Sequence, residues 1–191
     1  MTNLNTLKDR AYKNAVAHGW HEEELSNEHF LCLVISELME AVEADRKNRY
    51  AKRNFFIYSI DYALRELHLT EKDLNNYFRN SFNDNIKDSV EDELADSVIR
   101  LLDYCGTFNF VIDDSCSDSE AIEDFSRLFK KMTFTESIFH IVESISRFEI
   151  QVSFLKIFGF CKKNNIDILW HIEQKMKYNE LRPYKHDGKK Y

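Results

Sequence analysis

Two pairs of carboxylates, each spaced three residues apart, carry the chemistry open to this sequence. Glu37 and Glu40 lie in FLCLVISELMEAVEAD (Phe30 to Asp45), and Glu93 and Asp96 lie in DELADSVIRLLDY (Asp92 to Tyr104). Helical side chains three positions apart sit about 60° apart around the axis, so each pair can converge on one ion or on two neighbouring ions. Glu37 falls inside an apolar stripe formed by Phe30, Leu33, Val34, Leu38 and Ala41. A carboxylate on a core-facing stripe costs on the order of several kcal/mol unless a cation or a hydrogen-bond donor meets it. Four oxygen donors with no neighbouring His or Cys suit Mg²⁺, with Mn²⁺ as the other choice, rather than zinc. The chemistry this points to is metal-assisted hydrolysis of a phosphoanhydride.

Plainer readings stand beside that one. In a chain that is 31% charged, acids at this spacing occur often on solvated helix faces. Glu93 and Asp96 lie at the flank of their apolar stripe, and Arg100, four residues after Asp96, can form an ordinary intrahelical salt bridge. Glu37 can likewise find a basic partner and be purely structural.

Further along, Lys175, Asn179 and Arg182 fall at i, i+4 and i+7, on one face of a helix that reaches so far. An Arg fork suits phosphate, and Asn suits a base edge or a sugar hydroxyl. The same residues also fit a basic helix end that complements its own dipole. Trp20, beside a Gly and a polar loop, is the best candidate for stacking a base; Trp170, near Ile166 and Leu169, reads as core. No E-x-x-H, H-E-x-x-H, G-x-S-x-G, P-loop or dinucleotide fingerprint occurs, and the His186–Asp187 dipeptide stands in the tail without a helical pattern.

The elements that must position these residues read as helices. With 4 Gly and 1 Pro in 191 residues there is little turn chemistry for hairpins. Helices are expected from Leu4 to His18, ended by Gly19, and from a cap at Ser26 to about Asn48. One or two short helices fit Tyr50 to Asn85, with a start at Thr70 and a loop at RNSFNDN. The second acidic helix should begin near Asp88 or Ser89 and stop near Gly106. TFNFVI reads as loop. Helices then fit Ser119 to Met132, Thr135 to about Phe158 (ended by Gly159), and Ile166 to Leu181, stopped by Pro183. One domain, 1-191, is expected.

A net charge of -7 argues against a general nucleic-acid binder. The four cysteines form no C-x-x-C pair, and Cys32 and Cys105 read as reduced core thiols. The N-terminus lacks the apolar segment of a signal peptide, and no run approaches a membrane span, so a soluble chain in a reducing cytoplasm is expected.

ISELMEAVEADRK followed by DSVEDELADSVIRLLDY resembles the E-x-x-E and E-x-x-D motifs of the MazG-like all-α nucleoside triphosphate pyrophosphohydrolases, and KMKYNELRPYKH is similar to the Lys, Asn and Arg cluster of many members. The resemblance covers roughly Trp20 to Asn48, Ile86 to Gly106, and Ile166 to the end. It implies an all-α bundle of about five to seven helices, with extra helical segments in 49–86 and 107–158, which lack clear counterparts in the family pattern. It also implies Mg²⁺ held by Glu37, Glu40, Glu93 and Asp96, and hydrolysis of a (deoxy)nucleoside triphosphate to the monophosphate and pyrophosphate. One of the four acids, or Glu43, would orient the attacking water. Lys175, Asn179 and Arg182 would contact phosphate or sugar, and a homo-oligomer would close the sites. The alternative is a non-catalytic helical module that keeps the bundle and binds nucleotide or a protein.

Overall fold

Ser26, Thr70 and Ser89 each start a helix as their side chains predispose: every hydroxyl oxygen accepts the backbone N–H three residues on, at 3.3, 3.2 and 3.2 Å. The computed structural model describes residues 3–187, and among them it contains nine α-helices and no strand. These are α1 (Leu4–Ala17), α2 (Asn27–Arg46), α3 (Arg53–Glu66), α4 (Glu71–Asn85), α5 (Val90–Thr107), α6 (Ser119–Phe129), α7 (Phe134–Ser146), α8 (Ile150–Lys163) and α9 (Ile168–Glu180). Residues 188–191 of the basic tail, and the side chains of the His186–Asp187 dipeptide, lie outside the described ones.

The two acidic helices are central. The Val90 N–H donates to the Arg49 carbonyl at 3.0 Å, Arg100 meets Glu37, and the Phe30 and Phe108 rings stand 5.8 Å apart. α2 and α5 therefore run antiparallel along their whole length. Their facing residues Val34, Leu38, Ala41, Leu94, Val98 and Leu101 have no exposed surface. Burying each of the Val and Leu side chains among them stabilises the fold by about 1.5–3 kcal/mol. α1 packs on α5, with Asn5 exchanging two hydrogen bonds with the backbone of Ile112. α9 crosses the start of α5, while α6, α7 and α8 close the far side. α3 and α4 form a hairpin with its own aromatic cluster of Phe56, Phe78 and Phe82, which stacks against Tyr178 of α9.

Several expectations need correction. The helix expected from Thr135 to Phe158 is two helices, because Phe148 takes a left-handed conformation (φ 59°) and Glu149 N–H turns back to the Ser144 carbonyl at 2.9 Å. The cap of α7 is Thr133, which forms a reciprocal box with Glu136. Gly159 does not end a helix; it sits inside α8. RNSFNDN is the last two turns of α4 rather than a loop, since Phe78 and Phe82 bury one turn apart. With these segments helical, nine helices among the described residues replace the expected five to seven. Cys32 is exposed, not core, whereas Cys105 is buried as expected. No described helix is long and apolar enough to cross a membrane.

Candidate metal centre

Glu37 projects from the middle of α2 and Glu93 and Asp96 from the first turns of α5, and the antiparallel packing brings them together. One carboxylate oxygen from each of the three lies within 4.8 Å of the other two. Glu37 and Glu93 are buried, 8% and 5% exposed, and Asp96 is half-buried. Such a group can coordinate a divalent ion. Glu40 does not join it: this side chain is exposed and stands at the rim, where its charge still acts on Glu37.

The three acids differ in their partners. Glu37 Oε1 accepts from Arg100 Nε at 3.2 Å, so Arg100 pairs across the helix interface and not along its own helix. Asp96 Oδ2 lies 2.8 Å from Lys175 Nζ. Glu93 has neither an ion pair nor a side-chain hydrogen bond among the described residues. Burial, then the neighbouring charge of Asp92, pushes Glu93 up to about 9, against the pull of Lys175. Burial, then the charge of Asp96, raises Glu37 to about 7 in spite of Arg100. Carboxylates so crowded hold protons because too little positive charge meets them. The hard-oxygen donor set and this charge deficit both fit a divalent ion.

Asp92 is the participant the motif spacing did not reveal. It is 1% exposed and accepts from the Asp88 N–H at 2.9 Å and from Lys175 Nζ at 2.8 Å. The signal was present: Asp92, Asp96 and Arg100 follow one another at i+4, which puts all three on one face of α5. Lys175 is thus engaged by Asp92 and Asp96 inside the protein, 6% exposed. Burial opposes its charge, but the two carboxylates outweigh that and hold the ammonium above the usual lysine range.

A cavity of about 230 Å³ opens over the cluster. Its lining includes all eight residues singled out in the sequence: Trp20, Glu37, Glu40, Glu93, Asp96, Lys175, Asn179 and Arg182. Asn179 is 8% exposed, and its Oδ1 is buried without a hydrogen-bond partner. Arg182 makes no ion pair among the described residues; its guanidinium stands 5.9 Å from the centre of the Tyr178 ring. Asp103, also on the lining, is held by His21 Nε2 at 2.9 Å. Glu43, the other acid considered for orienting water, is exposed and paired with Arg46 and Lys47. Tyr178 stacks on Phe82 and bonds Asn83, which leaves it in the core.

The C-terminal segment is fastened to the end of α1. His18 Nε2 lies 3.0 Å from the Arg182 carbonyl, and Lys185 N–H donates to the His18 carbonyl at 3.1 Å. The Tyr184 ring lies against Gly19, whose φ of 79° and lack of a Cβ allow that approach. Trp20 and Arg182, distant in sequence, both come to the lining.

No protein-family model matches the chain, and neither curated proteins nor solved structures match it. The likeness to the MazG-like enzymes rests on the motif residues themselves.

Proposed function

We propose that the chain is a Mg²⁺-dependent nucleoside triphosphate pyrophosphohydrolase of the MazG-like type, with Mn²⁺ as an acceptable substitute. The observation that carries this reading is Glu93: a carboxylate 95% buried, without an ion pair, beside two others within ligand distance. A folded protein tolerates such a group poorly unless a cation completes it. Glu37, Glu93 and Asp96 would hold the ion, which supplies Lewis-acid polarisation of a phosphoryl oxygen and neutralises phosphate charge.

The rest of the lining suits the remainder of a nucleotide. The unpaired Arg182 guanidinium would take phosphate oxygens, the Asn179 amide a sugar or base edge, and the Trp20 ring a base face. Glu40, outside the ligand group but on the same lining, would orient water and accept its proton. Attack on the α phosphorus then breaks the bond to the bridging oxygen and releases pyrophosphate. The family likeness further implies a homo-oligomer, for which exposed Phe55, Tyr58 and Leu64 on α3 offer apolar surface. Light scattering on the purified chain measures that directly.

Pyrophosphate release from a panel of (d)NTPs with Mg²⁺ tests the reading. Turnover is expected, and Glu93→Gln and Asp96→Asn should each abolish it. An absence of turnover with every nucleotide, together with unchanged metal binding in both variants, sinks the proposal. The three ion pairs, Arg100–Glu37, Lys175–Asp92 and Lys175–Asp96, favour one rival: a non-catalytic binding module with an internally balanced core. Calorimetric titration that finds tight nucleotide binding without turnover would establish the rival instead.

A further inference from the structure

We propose that the acidic centre takes one divalent ion, and that the Lys175 ammonium occupies the position a second ion would take. The inference rests on the metal reading above and specifies its stoichiometry.

Lys175 reaches from α9 to the start of α5, where Nζ stands 2.8 Å from Asp92 Oδ2 and 2.8 Å from Asp96 Oδ2. A cation bridging two carboxylates, one of which also serves the neighbouring ion, is the arrangement of a two-metal site with ions about 3.5–4 Å apart. Here Asp96 is the shared carboxylate. It gives Oδ2 to Lys175 and belongs with Glu37 and Glu93 to the group within ligand reach. Asp92 gives Oδ2 to Lys175, while its Oδ1 is buried without a hydrogen-bond partner. It is absent from that group and from the cavity lining, and its Oδ2 also accepts the Asp88 N–H that starts α5.

Charge leads to the same count. With all four acids ionised, as ligands to an ion are, Glu37, Asp92, Glu93 and Asp96 face Arg100 and Lys175, and two negative charges remain. One divalent ion cancels them. With the lysine in place a second would leave the buried centre with two positive charges, and Lys175 is packed 5.7 Å from the Phe82 ring centre and 5.9 Å from that of Tyr178. Two observations separate this from an ordinary patch of acids. Glu93 is buried with no partner, and Asn179 presents a buried, unpartnered Oδ1 on a residue that lines the same cavity.

The test is titration of the full chain with Mn²⁺ alone, without nucleotide, counting free Mn²⁺ by electron paramagnetic resonance at pH 7.5. One equivalent is expected for the wild type and two for Lys175→Met. Two equivalents in the wild type overturn this proposal while leaving the metal reading standing. A Lys175→Met variant that folds and still takes one equivalent overturns it as well. Should that variant not fold, by circular dichroism, the wild-type count decides alone. No Mn²⁺ binding in the wild type would instead remove the metal reading on which the count depends.

Discussion

Arg100 and Glu37 face each other across the α2–α5 interface, Nε to Oε1 at 3.2 Å, with Glu37 nearly buried and Arg100 about three-quarters so. Removing the cation leaves the acid in the core without the only side-chain donor that it has among the described residues. Arg100→Met should therefore destabilise the metal-free protein by about 2–4 kcal/mol, near the range for breaking a buried pair from one side. If Glu37 also serves an ion, saturating Mg²⁺ should recover part of that loss. Urea denaturation with chelator and with Mg²⁺ measures both. A variant whose stability ignores Mg²⁺ would assign Glu37 to the ion pair alone.

Glu93 sets the pH dependence of the metal-free chain. Burial and then the charge of Asp92 raise it to about 9, well above the value near 4.5 of the unfolded chain. Between those two values the folded state binds the extra proton, so stability is full below about pH 4.5 and falls as pH rises toward 9. Glu93→Gln removes the ionisable group and should be more stable than wild type at pH 8 without metal, by roughly 1–3 kcal/mol. Mg²⁺ at about 100 times its Kd should raise the wild-type Tm by about 5–10 °C and leave Glu93→Gln much less affected. Equal melting of the two proteins with and without Mg²⁺ would count against the centre.

What the sequence disclosed about this centre follows from which signals are local. The stripe Phe30, Val34, Leu38, Ala41 has helical period, and Glu37 within it is a charge that cannot escape burial; both were legible. Pairing Glu37 with Arg100 rather than with a distant base depends on the register of two helices, which periodicity does not encode. Asp92 was hidden because it stands outside the three-residue pairs, four residues before Asp96 on the same face of α5. Phe148 breaks the helix by adopting a left-handed conformation that nothing in its side chain favours. RNSFNDN has loop composition, yet Phe82 at its centre must bury with Phe78, and tertiary packing overrides propensity there.

His171 gives a second pH signature, away from the acidic cavity. Burial, then the nearby Arg53 charge, lowers its imidazole to about 4, against the pull of Asp167, and its Nδ1 has no hydrogen-bond partner. The unfolded chain protonates this residue near pH 6.5. Its neutral burial is therefore harmless above pH 6.5 and progressively costly as pH falls toward 4, where about 3 kcal/mol is at stake. His171→Phe should flatten the stability profile between pH 6.5 and 4 while leaving stability near pH 8 within about 1 kcal/mol, a shape-conserving exchange in a buried site. Guanidinium denaturation across that range is the measurement. A variant with the wild-type slope would show that other groups govern it.

Gly159 lies within α8, where its backbone meets α6 so closely that a Cβ would stand 2.5 Å from Phe125 Cβ and 2.9 Å from the Phe125 carbonyl carbon and the Ser126 nitrogen. Two effects oppose each other in Gly159→Ala. Helix propensity favours alanine by about 1 kcal/mol. Overpacking costs about 1–3 kcal/mol, and here the obstacles are backbone and a Cβ, which no rotamer change can withdraw. The clash should win: the helices must separate, and with them the contacts that Phe129, Phe154 and Phe160 make in the core. A net loss of about 1–2 kcal/mol corresponds to a fall in Tm of roughly 2–8 °C for a chain of this size. Thermal melting monitored by circular dichroism reads it, and a melting point at or above the wild-type value would mean that α6 moves aside without loss.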